Sequence, residues 1–267
     1  MKDRLTVYIS SPKAYKDVFD IFYQCYNKFW KNSEFPFVLS TNYDAQYKGV
    51  RVINSENLQD SWTERTIDAL NAIDSDYILL LCDDLFINDV VHDEEIKAIL
   101  NLMDQYKIDY CRLNPYRRGV LFREGDLIYK VHKRMPYALN LQRGIFRKDY
   151  LLLLLGDGSK SAWTLENEWL QQSQVAPNEY YDNIAVVGKS VISVIHAVQK
   201  GLFYPSVKRR LGEIGISIDS DRQYMPRRIE LIQRLKEVLG NKLFNPKIRY
   251  IIKSLLRKLG FSFTSKY

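Results

Sequence analysis

Two adjacent aspartates, Asp83 and Asp84, follow the apolar stretch Tyr77-Ile-Leu-Leu-Leu-Cys82. Carboxylates set side by side at the mouth of a buried strand repel one another and lose water. A divalent cation or an open rim relieves that cost. Mg²⁺ and Mn²⁺ favour carboxylate oxygens and bridge to phosphates while keeping waters. The pair therefore suits a phosphate-bearing substrate, and read alone it also fits a solvated loop. Trp62 and Arg65 lie three apart and share a helix face. Arg65 could hold a diphosphate or a nucleobase rim, or be a surface cation beside a core Trp62. Ser10, Thr41 and Asn42 end neighbouring strands and could line a nucleotide pocket.

The elements that must position these residues follow from the periodicity. Alternating or continuous apolar runs predict strands at 5–9, 37–39, 50–53, 76–82 and 110–113. Helical spacing predicts helices at about 15–30, 62–73 with Ser61 as N-cap, and 93–106. Strand and helix thus alternate over the first part of the chain, the pattern of an α/β domain with a parallel sheet. Ligands in such sheets bind beyond the carboxyl ends of the strands, where Ser10, Thr41-Asn42 and Asp83-Asp84 all fall. Further on, strands are expected at 127–132, 184–187 and 191–194, and helices at 149–155, 161–172, 227–239 and 246–259.

Charge separates the chain into two parts. The net charge of the 267 residues is +7, yet the part from Lys200 onward holds 16 basic and 5 acidic residues, so the earlier part is acidic. In 246–259, Ile248, Ile251, Ile252, Leu255, Leu256 and Leu259 form one apolar stripe, with Lys247, Arg249, Lys253, Arg257 and Lys258 around it. Such a helix either docks on the domain or lies on an anionic membrane surface. Three cysteines without CxxC spacing argue against a disulfide framework or a zinc site and point to a reducing compartment. The N-terminus reads as lacking a signal peptide, and no run approaches a membrane span. A cytoplasmic protein is expected, peripheral on the inner membrane face if the tail binds lipid.

The stretch Asp60-Ser-Trp-Thr-Glu-Arg65, then Ser75-Asp-Tyr-Ile-Leu-Leu-Leu-Cys-Asp-Asp-Leu-Phe86, resembles bacterial GT-A-type glycosyltransferases of cell-surface polysaccharide and lipopolysaccharide biosynthesis. Tyr137-Ala-Leu-Asn-Leu-Gln142, Ile145-Phe-Arg-Lys-Asp-Tyr-Leu151 and Ala162-Trp-Thr-Leu-Glu166 continue the likeness in the same order, over roughly residues 1–210. The resemblance implies a Rossmann-like GT-A fold, a mostly parallel sheet flanked by helices, with a catalytic domain at 1–210. A basic helical extension, 211–267, would follow. It also implies inverting transfer from a nucleotide sugar to a hydroxyl of a glycan or lipid-linked glycan, with Mn²⁺ or Mg²⁺ on the donor diphosphate.

Cys82 stands where a DxD motif has its first aspartate, so Asp84 inherits the principal metal role, with Asp83 assisting. Thr164 replaces the first glutamate after Trp163, which leaves Glu166 as general base and Glu168 as the alternative. Both also suit solvent-facing helix positions. His196 is a further metal ligand by the same likeness, or else a histidine satisfied in the core. A nucleotidyltransferase is the enzyme rival, although Ile9-Ser-Ser-Pro-Lys13 lacks the glycines of a phosphate loop. A basic nucleic-acid- or membrane-binding module is the other rival; no nucleic-acid partner is expected of a transferase.

Overall fold

The computed structural model describes residues 3–55, 61–116, 120–133, 135, 138–173 and 179–231. The chain begins β1 (Leu5–Ser10), α1 (Lys16–Phe29), β2 (Phe37–Thr41), β3 (Val50–Asn54), α2 (Trp62–Asn71) and β4 (Tyr77–Leu81). It continues β5 (Leu85–Ile87), α3 (Asp93–Tyr106), β6 (Tyr110–Arg112), β7 (Val120–Leu121), β8 (Ile128–His132), β9 (Gly144–Arg147) and α4 (Lys148–Leu155). Last come α5 (Ala162–Ser173), β10 (Tyr180–Val187), β11 (Val194–His196), β12 (Val198–Gln199), β13 (Leu202–Phe203) and α6 (Pro205–Glu213).

Nine of these strands form one sheet in the order β3-β2-β1-β4-β9-β6-β10-β8-β7. β9 and β8 run against the other strands, and the half from β3 to β4 is wholly parallel. This is the expected α/β architecture, mostly parallel and flanked by helices. The reason lies in strands such as β4. Tyr77, Leu79 and Leu81 enter the apolar layer shared with α1, α3 and α6. Ile78 and Leu80 enter the opposite layer, with α2, α4 and α5. A strand buried on both faces reads as an unbroken apolar run.

The helices follow from local chemistry as well. In α1, Val18, Phe19, Ile21, Phe22, Cys25 and Tyr26 are buried, a single stripe at helical spacing. Ser61 Oγ accepts the Glu64 N–H at 3.2 Å and starts α2 as its N-cap.

Three features differ from the sequence reading. β9, four residues beginning with glycine, inserts antiparallel between β4 and β6. Gly144 fits there because a Cβ would overlap the Tyr110 ring. The strand expected at 191–194 instead starts at Val194, and pairs antiparallel with the short β5, setting His196 opposite Leu85. The core also continues past residue 210. α6 crosses that position, and Ile216 and Met225 pack in the layer that holds α1.

Arg222 fastens this returning segment. Its guanidinium forks onto Asp17 (Nε to Oδ2 2.9 Å, Nη2 to Oδ1 2.7 Å) and donates to the Ala14 and Gly201 carbonyls. It also lies 4.6 Å from the Tyr15 ring centroid. Such a bidentate pair fixes orientation as well as charge. The amphipathic stripe at 246–259 lies outside the described residues. No helix among the described residues is long and apolar enough to cross a membrane.

Candidate active site at the carboxyl ends of the strands

Parallel register brings the loop-ends together. Ile9 is opposite Leu81 and Ser10 opposite Ser40, so the residues after β1, β2 and β4 share one edge of the sheet. Ser10 and Thr41 are both buried there. Asn42 Oδ1 accepts the Lys13 N–H at 2.7 Å and ties the β1 and β2 loops to each other. Ser11, next to Ser10 at the end of β1, donates its hydroxyl to Asp83 Oδ2 at 2.6 Å.

Asp83 is only 8% exposed. Burial, then the adjacent Asp84 charge, push its carboxyl up to about 7, against the pull of the Ser11 hydrogen bond and of Arg222. The Asp84 carboxyl is also raised, first by burial, while His196 draws it down. Asp84 lies more open than its neighbour, its side chain 26% exposed, with His196 Nε2 at 3.8 Å from Oδ2. The β5–β11 ladder accounts for this proximity, and Ala197 N–H locks it by donating to the Asp84 carbonyl at 2.9 Å. The expectation of a histidine satisfied in the core does not hold for His196, whose side chain is 42% exposed.

Cys82 points into the layer beneath. Its thiol lies 3.9 Å from the Leu141 carbonyl and is pushed far up by burial, and next by the Asp84 charge.

Glu166 is also near Cys82: both side chains reach the backbone of Leu141. One carboxylate oxygen accepts the Leu141 N–H at 2.6 Å; the second has no hydrogen-bond donor among the described residues. Burial raises its carboxyl above the usual range, opposed by that N–H and by Arg112. Glu168, two residues on, lies on another face of α5 and is tied to Lys160 at 2.5 Å. Glu166, and not Glu168, is thus the partly buried carboxylate of α5, and its charge reaches Cys82 next to the aspartates.

Arg65 is 1% exposed and so is no surface cation. It sits under the strand ends, where its carbonyl accepts the Ser40 hydroxyl at 3.3 Å and its charge reaches Tyr8. Trp62 packs half-buried beside α4. Tyr15, Arg112, Arg143 and Arg222 also ring the site. Only Arg112 had a sequence signal, a cation closing an apolar strand; the others depend on contacts remote in sequence.

The donors present fit a divalent cation of the Mn²⁺ or Mg²⁺ kind. A carboxylate and an imidazole stand 3.8 Å apart, and beside them lies a second carboxyl, Asp83, whose ionisation burial and the Asp84 charge disfavour and a cation would favour. Among the described residues no group of three or more His, Cys, Asp or Glu side chains could hold the ion unaided. Substrate oxygens and water would have to complete the shell.

The raised carboxyl carries a stability signature. An unfolded aspartate titrates at about 3.9, so the cation-free native state binds the extra proton between there and about 7. Stability from this group is full below about pH 4, declines as pH rises through 7, and then levels off. Asp83→Asn should flatten that decline in urea unfolding with chelator present, being more stable than wild type at pH 8 by a few kcal/mol at most. An unchanged pH response would show that Asp83 ionises freely.

No protein-family model matches the chain, and none of the curated proteins does. Among solved structures it is similar to residues 1–349 of S. aureus TarS, at 12% identity and a TM-score of 0.46, over 94% of this chain and 78% of that one. The same protein in complex with UDP gives 14% identity and a TM-score of 0.49, over 91% and 73%. The chain spans 44% of a longer TarS structure. A cytidylyltransferase from Leptospira borgpetersenii gives 12% identity and a TM-score of 0.42, over 91% and 99%.

Proposed function

We propose that the protein is a glycosyltransferase that moves a sugar from a nucleotide-sugar donor to a hydroxyl of a glycan or lipid-linked glycan. What supports this reading is a desolvated carboxylate, Glu166, whose charge reaches the same Cys82 thiol as the charges of Asp83 and Asp84, beside the Asp84–His196 pair. In this reading the donor's nucleotide lies along the ends of β1 and β2, by Ser10, Ser11, Thr41 and Asn42, with Arg65 beneath. Asp84 and His196 hold Mn²⁺ or Mg²⁺, with Asp83 oriented by Ser11. When bound, the cation neutralises the diphosphate that leaves with its bonding electron pair. Glu166 takes the proton from the acceptor hydroxyl as that oxygen bonds to the anomeric carbon on the face opposite the diphosphate, which gives inversion.

Nucleotidyl transfer fits the aspartates equally well but not Glu166. Its usual sugar-phosphate nucleophile is already an anion and needs no base, whereas a hydroxyl does. The products separate the two. Incubation with a panel of nucleotide sugars, Mn²⁺ and glycan acceptors should release nucleoside diphosphate in step with acceptor glycosylation. Release of pyrophosphate from a nucleoside triphosphate and a sugar phosphate would instead establish nucleotidyl transfer. Association with an anionic membrane through 246–259 is part of the proposal only as the means of reaching a lipid-linked acceptor.

A further inference from the structure

The carboxyl end of β6 meets the amino end of the antiparallel β9, and two arginines gather there. Arg143, just before β9, is 7% exposed. Its Nε and Nη2 donate to Asn114 Oδ1 at 2.9 and 2.5 Å, and Nη1 donates to the Ile192 carbonyl at 2.8 Å. Those bonds use three of the five N–H groups of a guanidinium. Both acceptors are neutral, and among the described residues no carboxylate pairs with Arg143. Buried cations ordinarily keep an anionic partner, and a guanidinium does not escape the cost by shedding its proton.

A second cation makes the imbalance worse. Arg112, the last residue of β6, is half-buried and reaches the surface beside Arg143. Burial, then the Arg112 charge, bring Arg143 down to about 10. Glu166 attracts Arg112. Asp83 and Asp84 are engaged instead by Ser11 and His196. The arrangement is an interior cation behind a rim cation, with unspent N–H groups on the interior one. A planar fork of this kind matches the paired oxygens of a phosphate or carboxylate.

We propose that Arg112 and Arg143 form a subsite for a compact oxyanion, a phosphate or carboxylate group carried by the acceptor. Assigning the anion to the acceptor rests on the transfer reading above, in which Glu166 receives the acceptor's proton and stands beside Arg112. The donor diphosphate belongs to the Asp84–His196 side. Anchoring a charged group next to the reacting hydroxyl supplies orientation that a neutral glycan would have to gain from many weaker contacts.

Calorimetric titration of the intact chain with inorganic phosphate, and separately with acetate, tests the subsite without turnover. One anion should bind wild type, and its binding should survive saturation with nucleoside diphosphate and Mn²⁺. Preference for phosphate marks a phosphate-bearing acceptor; preference for acetate marks a carboxylate-bearing one. Arg112→Gln should weaken that binding by at least about tenfold, Arg112→Lys by less, and Asp84→Ala not at all. If Arg112→Gln fails to fold on thermal melting, Arg112→Lys decides, because a point charge lacks the fork. Absence of binding, displacement by the nucleotide, or full affinity in the Arg112 variant that folds overturns the subsite. Because no transfer is measured, such a failure leaves the glycosyltransferase reading standing. An anion bound normally to a chain that transfers no sugar would do the reverse.

Discussion

Asp84→Ala should abolish sugar transfer, lowering kcat/KM by about a thousandfold or more, and should remove the Mn²⁺ dependence of nucleotide binding. Neutralising the leaving diphosphate is worth several kcal/mol, and about 4 kcal/mol is a thousandfold in rate. The substitution isolates that function because little else depends on the side chain. Among the described residues its carboxylate makes an ion-pair contact only with His196, at 3.8 Å, and the Ala197 N–H bond goes to the Asp84 carbonyl, which alanine keeps. Removing a partly open carboxylate whose ionisation is disfavoured by burial should leave the melting temperature level or higher. Calorimetry of nucleoside diphosphate binding with and without Mn²⁺ reads the effect directly. If the cation still tightens binding in the variant, Asp84 is not its ligand. The same measurement on His196→Ala should show a smaller loss, since an imidazole contributes one bond and no negative charge.

That prediction draws on a feature written plainly in the sequence, and the reason is physical. β1, β4 and α1 are long, uninterrupted apolar patterns buried on a defined face, so periodicity locates them and the Asp83-Asp84 turn that ends β4. The Ser61 cap was legible for a similar reason: a cap is local chemistry. Short elements were not legible. β5 and β11 have three residues each, too few to show a period, yet their pairing is what carries His196 to Asp84. β9 begins with a glycine that only the Tyr110 ring explains. Its insertion creates the site of Arg143, whose partners Asn114 and Ile192 lie far away in sequence. The Arg222–Asp17 fork spans 205 positions, and no local pattern announces it. Arg65 shows a different limit: spacing put it correctly on α2, but helix periodicity could not tell which neighbour would cover it.

The pair Glu166 and Glu168 shows the same limit at the centre of the chemistry, and it leads to the second large effect. Sequence spacing placed both on one helix without choosing between them; two residues on a helix point some 200° apart, and the packing of α5 decides. Glu166→Gln should lower kcat by about 10²–10⁴ with donor affinity unchanged, whereas Glu168→Gln, losing only the pair with Lys160, should stay within about twofold. Glutamine can still accept the Leu141 N–H, so the variant keeps the contact that holds the side chain and loses only the capacity to take a proton. The pH profile separates this from a merely structural role. In wild type the rate should rise with pH as Glu166 ionises, along a limb lying above the ordinary glutamate range because burial raises that carboxyl. The limb should be absent from the residual activity of Glu166→Gln. Loss of activity with the limb intact would mean that Glu166 only shapes the loop at Leu141. Full activity in Glu166→Gln together with loss in Glu168→Gln would move the base to the exposed face of α5, and with it the acceptor.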